Sequence, residues 1–569
     1  MVRNKQNTAF AKPTKANSRC NMIKEFINQI NNLPQKAFAE LVGLDVDKPT
    51  IGVISAQNEL SLADGATDKI VDKVREGILA SGAIAKTLHI SAIEGNAMYA
   101  TNAAKYDLPD RELTANNVET LCANNYFDAL VFVASRPNTI WGMLLGAIRL
   151  NMPCAFVCQG TMSPITYDGK QYGFEFFYRQ VARAKVNKKM QEVLANFQAA
   201  LPTVCGTDCD RYGQNSVSCL LEATGMAVQG NGTAAANSVE RQKIAVKTGQ
   251  LAVKLAQNKC TPRRILTQSM LQNMIRADLA CGGSTTTMLG IIAVAKELGV
   301  RNVDFKAISE IAKTVPLLLA KPSDGEPPMT ALRRAGGMYA VLKQLVCDKI
   351  ADGEVYTGAG MTLSQLLQNA TVVDSEIVRT KETAANKAAT LQVVKGNLAE
   401  EGAFVHYKTE QTFVGKAKVY ESEESAIEAI LHKEIRDGYV VVIRNEGPQS
   451  CPGMREVYMS LALLNETGLA DKVAVITDGR IADIYDGIAV GHITPESGNP
   501  TAFTVLRDGD SVEISVPKGR IQCDLNAREV QTRLRNHDRG IGNYANAYLK
   551  QWSKTCRPAT EGCVTDKSK

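Results

Sequence analysis

Fourteen cysteines run from Cys20 to Cys563, and two pairs among them repeat one spacing, Cys154-x3-Cys158 and Cys205-x3-Cys209. Thiolates hold zinc ions and iron–sulfur clusters, so metal chemistry is the first to weigh. The spacing argues against a shared ion. Residues four apart on a strand face the same side but lie about 13 Å apart. For each cysteine alone, a small buried hydrophobe in a reducing compartment is the default. Scattered thiols with no secretory signal before them do not make a disulfide framework. A second candidate is the turn Cys281-Gly282-Gly283-Ser284 with Thr285, Thr286 and Thr287 behind it. Its backbone N–H groups and hydroxyls suit an anion at a helix start. The competing reading is a turn that only caps the helix continuing through Met288–Leu298. His89, His406, His432 and His537 carry no motif, and a hydrogen-bonded structural histidine is the default for each.

These residues sit in a chain of 569, long enough for two or three domains, with 45% apolar and 22% charged residues. The 65 basic and 59 acidic residues leave +6, with no basic stripe, which speaks against nucleic acid as a partner. No apolar run approaches the roughly 18–20 residues that span a bilayer, so no membrane association is expected. The first 22 residues hold Arg3, Lys5, Lys12, Lys15 and Arg19 and no acid. A frayed basic tail on a cytoplasmic protein is the preferred reading. A transit peptide for an organellar matrix is the alternative.

Between Pro49 and Pro202, short apolar runs alternate with amphipathic stretches. Thr50–Ala56 reads as a buried strand, being β-branched, uncharged and bounded by Pro49 and Asn58, and Ala83–Ile93, Phe127–Ala134 and Cys154–Cys158 read as further strands. Asp68–Ser81 reads as a helix with Ile70, Val74, Ile78 and Leu79 on one face, and Met143–Leu150 as a short helix. Strand, helix, strand at this spacing predicts a large α/β domain with a parallel sheet, whose chemistry belongs at the carboxyl ends of the strands. Residues 240–350 read as mostly helical. Beyond Ala370 come short strands at Gln392–Val394, Phe404–Tyr407, Ala417–Tyr420, Val440–Arg444, Val473–Thr477 and Ser511–Val516. They predict a β-rich, barrel-like second domain. The division expected is a tail and lead-in helix over 1–45, an α/β domain over 46–373, a polar linker over 374–388 and the β-rich domain over 389–569.

Several segments in order resemble the dihydroxy-acid dehydratase and 6-phosphogluconate dehydratase family: Ala280–Thr287 (ACGGSTTT), Lys395–Ala399 (KGNLA), Val442–Glu456 (VIRNEGPQSCPGMRE), Ile476–Arg480 (ITDGR), Gly491–Glu496 (GHITPE) and Gly562–Asp566 (GCVTD). Asn58-Glu59, Glu94–Met98, Leu108–Glu112 (LPDRE) and Gly142–Pro153 fall in family order before them. The resemblance implies a hydro-lyase scaffold that turns a 2,3-dihydroxy acid or sugar acid into a 2-keto acid. It also implies a site between the two domains and a homodimer. In enzymes of that family an iron–sulfur cluster and a magnesium ion would supply the positive charge, and a serine would take the proton from C2.

Position by position, the sequence departs from that chemistry. Ala63 stands at the first cluster cysteine. Arg136, Pro137 and Asn138 stand at the second cysteine, a magnesium carboxylate and the modified lysine ligand. Cys209 lies within one residue of the third cysteine. Glu94 replaces an aspartate that binds magnesium, Glu456 keeps its place, and Ala482 takes the place of the serine. Alanine neither ligates a metal nor moves a proton, and Arg136 brings a fixed positive charge. The expectation is therefore a non-catalytic paralogue without the cluster, with Glu94 and Glu456 as a remnant magnesium site.

Two further readings stay open. One is a hydro-lyase with a rebuilt centre, in which Cys158, Cys209 and Cys451 converge within about 4 Å on a metal and Asp483, Tyr485 or Asp486 replaces the base. The other is a module that binds a small hydroxy acid, sugar acid or other anion. Its contacts would be Gly283, Ser284 and Thr285, with Arg136 and Asn138 beside them. For Arg136 an ion pair with Glu94 or Glu456 is expected before an anion site.

Overall fold

The computed structural model describes residues 37–565, apart from 38, 40, 46, 62–63, 94–100, 124–125, 201–204, 323–324, 450–451 and 537–545. The basic tail, Ala63, Glu94, Cys451 and His537 lie outside the described residues.

In the first half, strand β1 (Thr50–Gln57) leads through helix α1 (Thr67–Ala80) to β2 (Ile84–Ser91). Helix α2 (Asp107–Cys122), β3 (Ala129–Val133), α3 (Pro137–Leu150) and β4 (Cys154–Val157) follow. The sheet order is β2-β1-β3-β4, and every pair is parallel. Strands β1, β3 and β4 are buried almost throughout, as uncharged strands covered on both faces must be. Helix α3 is longer than its apolar run suggested, because Pro137 occupies its first turn, where a missing N–H costs nothing.

Helix α1 buries Ile70, Val74 and Ile78, but Leu79 is 58% exposed. Its inward face is rotated toward Gly77, since α1 packs on the later helix Val239–Gln257 through two glycines. A Cβ on Gly77 would run into the Val246 carbonyl, and one on Gly249 into the Val74 carbonyl. The close approach of the two backbones rests on those missing methyls.

After a short hairpin of β5 (Ile165–Tyr167) and β6 (Lys170–Tyr172), helix α4 (Phe174–Val186) reaches the second half, and α5 (Tyr212–Thr224) returns into the first. Helices then dominate to residue 347, among them α6 (Thr285–Leu298), which is capped by Ser284.

The second half is an eight-stranded closed barrel. Its members are β7 (Leu391–Gly396), β8 (Ala399–His406), β9 (Thr412–Tyr420) and β10 (Tyr439–Ile443), then β12 (Ala474–Thr477), β14 (Ile488–Thr494), β15 (Ser511–Ser515) and β16 (Arg520–Cys523). They close in the order β10-β12-β14-β8-β7-β16-β15-β9. Outside the barrel, β11 (Glu456–Val457) and β13 (Arg480–Ile481) form a two-stranded parallel ladder in which Glu456 faces Arg480.

The two halves interlock. Within the polar segment 374–388, Ile377 and Val378 are buried, and Val378 bridges Leu319. The last described segment folds back on α2: Arg111, 0% exposed, donates to the carbonyls of Gly562 and Cys563, both at 2.8 Å. Leu108, Leu289, Met454, Trp552 and Cys563 share one small core there.

Candidate functional site

The carboxyl ends of β1, β3 and β4 meet the start of α2, the Gly282–Thr287 turn and the β11–β13 ladder. Asp107, the first residue of α2 and 5% exposed, lies at the centre. Its carboxylate accepts from Arg136 Nη2, Asn138 Nδ2 and Arg480 Nη2, each at 2.7 Å. Burial alone would push the Asp107 carboxyl up. Arg480 and Arg136 outweigh it and hold the group below the usual carboxylate range.

A second knot joins the first. Arg211 donates to Glu456 Oε1 at 3.1 Å and to Asp483 Oδ1 at 2.6 Å, and its guanidinium lies 5.2 Å from the Tyr458 ring centroid. Burial would raise the Asp483 carboxyl, but Arg211 brings it below its usual range. Arg480 links the knots, with Nη1 donating to Thr286 Oγ1 at 2.9 Å and lying 3.9 Å from Glu456. Two flanking acids go the other way: burial pushes Asp64 and Asp110 to about 6 despite the nearby Arg136. The space between Arg136, Asn138, Arg211, Ser284, Glu456 and Arg480 is ≈ 40 Å³. That admits a few waters, whereas organic ligands occupy about 300 Å³ or more.

Several expected positions take other roles. Arg136 rests on Asp107, and Glu456, one of its two expected partners, is bonded to Arg211. The Cys158 thiol donates to the Asn231 carbonyl at 2.7 Å, within the first domain's core. Cys209 is fully buried, and burial, with Asp208 and Asp210 beside it, pushes its thiol far up. Neither thiol is presented as a ligand, and the third member of the expected three-thiolate site, Cys451, lies outside the described residues. Among the described residues no group of three His, Cys, Asp or Glu side chains is arranged to hold a metal.

The 282–287 turn is also internally committed. Gly283 N–H donates to the Asp278 carbonyl, Ser284 N–H to Asp278 Oδ2 at 2.8 Å, and Thr285 Oγ1 to the Ile481 carbonyl at 3.0 Å. Its donors serve the fold, as in the capping reading. Tyr485 donates its hydroxyl to the Val473 carbonyl at 2.8 Å and is not poised as a base. Ala482 follows β13 and is buried; Asp483 beside it is the residue that reaches the site.

Sequence reasoning passed over Asp107, Arg211 and Arg480. Arg480 stands inside a string already singled out, Asp107 directly precedes one, and Arg211 lies two residues beyond Cys209. Spacing gives no sign that three separate segments supply one charge mesh.

The model of the family described as Dihydroxy-acid/6-phosphogluconate dehydratase N-terminal matches residues 48–366, and its C-terminal counterpart matches residues 376–563. A protein of Desulfitobacterium hafniense named Dihydroxy-acid dehydratase is 34% identical over 511 residues, covering 89% of this chain and 91% of its own. Proteins of the same name from Acetivibrio thermocellus and Moorella thermoacetica are each 32% identical, covering 94% of this chain and 98% of theirs.

Proposed function

The chain belongs to the dihydroxy-acid/6-phosphogluconate dehydratase family, and we propose that within it this is a member that does not dehydrate an acid. The observation that carries this reading is the threefold hold of Arg136, Asn138 and Arg480 on Asp107, at the end of β3 where the family resemblance puts cluster and magnesium ligands. A guanidinium stays protonated and cannot donate an electron pair to iron. The remaining donors suit the group no better: the Cys158 thiol is spent on a carbonyl, the Cys209 thiol is held neutral by burial, and Glu456 is bonded to Arg211. Among the described residues these donors do not fit an iron–sulfur cluster, and no step is routed through one.

Asp483 is the carboxylate nearest the family's serine position, yet its pairing with Arg211 makes it a weak proton acceptor. That counts against a rebuilt hydro-lyase. Under this reading the scaffold is kept for binding and assembly, as a homodimer that takes a small hydroxy acid or sugar acid.

The test is anaerobic purification followed by iron and acid-labile sulfide analysis, together with hydrazone trapping of 2-keto acid from 2,3-dihydroxyisovalerate and 6-phosphogluconate. The expected protein is colourless and forms no keto acid. Stoichiometric iron and sulfide with turnover overturn the proposal. Light scattering on the same sample tests the dimer.

A further inference from the structure

The small core where the last described segment folds back holds three sulfur atoms. Met454, Cys556 and Cys563 are all buried there, packed with Leu108, Leu289 and Trp552. Cys563 Sγ lies 3.5 Å from Met454 Sδ, and the Cys556 thiol lies against the Cys563 thiol. Both cysteines are free. A short hairpin brings them together: Cys556 bridges Thr565, Arg557 N–H donates to the Val564 carbonyl, and Cys563 N–H to the Pro558 carbonyl. Met454 reaches them from the segment just before β11.

The bonds that these thiols make are weak. Cys556 Sγ donates to the carbonyls of Arg557 at 3.3 Å and of Cys563 at 3.6 Å, and Cys563 Sγ donates to a thioether.

A second observation comes from Arg111. Its guanidinium is fully buried, and Nε and Nη1 have no hydrogen-bond partner among the described residues. Nη2 donates to the same Cys563 carbonyl that Cys556 uses, which places the positive charge beside the sulfurs. The neighbouring acid, Glu112, stands 3.9 Å away and is itself bonded to Arg149 at 2.8 Å. A buried cation so weakly matched is costly unless a negative charge lies next to it. Two neutral thiols supply none, whereas two thiolates on a monovalent ion do.

We propose that Met454, Cys556 and Cys563 form a three-sulfur site for Cu(I). Thiolate and thioether ligands together select Cu(I), while zinc takes four ligands and prefers thiolate or imidazole to thioether. An ion held by sulfur at about 2.3 Å in a trigonal plane needs its sulfurs about 4 Å apart, close to the spacing present. On binding, each thiol releases its proton, three copper–sulfur bonds form and copper stays in the +1 state. Two thiolates and Cu(I) carry one net negative charge, which Arg111 neutralises. The site uses no residue of the charge mesh around Asp107 and does not depend on the proposed loss of dehydration.

Anaerobic titration of the reduced full chain with Cu(I), in competition with the chelator bicinchoninate, tests this. The parent is expected to take one more equivalent of Cu(I) from the chelator than Cys556→Ala/Cys563→Ala does. Met454→Leu keeps both thiols and much of the volume. It is expected to hold that equivalent about tenfold or more weakly, since even residues that only support metal ligands cost this much. Cys347→Ser, at an exposed cysteine, is expected to compete for this equivalent as the parent does. X-ray absorption at the copper edge of the one-equivalent parent complex should show three sulfur neighbours, and it requires no variant to fold. Equal copper uptake by the parent and the double variant overturns the proposal. So does unweakened binding by Met454→Leu, or a copper with two sulfurs or with only nitrogen and oxygen around it.

Discussion

Arg480 of the β11–β13 ladder donates to Asp107 of helix α2 at 2.7 Å, joining residues 373 positions apart across the two halves of the molecule. Both are almost wholly buried. A buried pair is worth little against an apolar substitute, but breaking one partner leaves an uncompensated charge. Arg480→Met is therefore expected to destabilise the protein by about 3–5 kcal/mol. The double variant with Asp107→Asn, which also deprives Arg136 of its acid, should lose less than the sum of the two single losses. Urea unfolding of the two single variants and the double variant checks both statements; strictly additive losses would disprove the coupling.

Returning the family's hydroxyl at position 482 is not expected to return chemistry. Ala482→Ser should give no 2-keto acid above background, because Arg136, Asn138 and Arg480 still close on Asp107 and leave room for only a few waters. Hydrazone trapping over hours, with either dihydroxy acid, is the measurement. Turnover by this single variant would contradict the proposed function directly.

Arg211 holds Glu456 and Asp483 together, so Arg211→Met leaves two buried carboxylates facing each other. The Asp483 carboxyl is depressed in the folded state, so its contribution is present above the unfolded value of 3.8 and is lost as pH falls through the folded one. The stability difference between parent and variant should be large near neutrality and should narrow below about pH 4. Melting curves across that interval show whether it does.

Asp278 has the opposite sign. Burial raises its carboxyl from 3.8 to about 8 while it accepts the Ser284 N–H. Over that interval the folded state keeps a proton that the unfolded chain has released, so this group's contribution falls as pH rises from about 4 to about 8. Asp278→Asn keeps an acceptor for Ser284 and removes the titration. Its melting temperature should gain on the parent's as pH rises through that window, and a constant difference would refute the assignment.

Gly77→Ala tests the packing that rotated helix α1. Its new methyl would meet the Val246 carbonyl, and backbone cannot swing aside as a side chain can. A loss of about 1–3 kcal/mol is expected from overpacking. Gly82→Ala provides a contrast, since no neighbour lies within 4 Å of its Cβ position. Its cost should come from its positive φ alone.

The parallel sheet was legible because its strands are runs of four to eight mostly apolar residues between turn signals, a pattern that local chemistry alone produces. The barrel was legible as β-rich, but β14 and β16 were not seen. β14 (IAVGHIT) is buried along its whole length and shows no alternation, and β16 is only four residues long. Leu79 was assigned inward by periodicity, and the glycine contact on the neighbouring face overrode it. At the site, the substitutions Arg136 and Ala482 could be read residue by residue. The partner of Arg136 could not: helix position brings Asp107 to it, and a carboxylate one residue outside a quoted string carries no mark. The bridge between Leu319 and Val378 was hidden for a related reason. Its second segment lies in a polar stretch that reads as linker, and only two apolar residues, Ile377 and Val378, betray that it is packed.

The hook of the last described segment onto Arg111 has a consequence for synthesis. This guanidinium sits in the first half, 0% exposed, and two of its acceptors are carbonyls more than 450 residues downstream. Until those residues leave the ribosome, the first half carries a charged group whose pocket is unfinished. Its maturation must therefore wait until Gly562 and Cys563 have emerged, even though its sheet and most of its helices are complete hundreds of residues earlier.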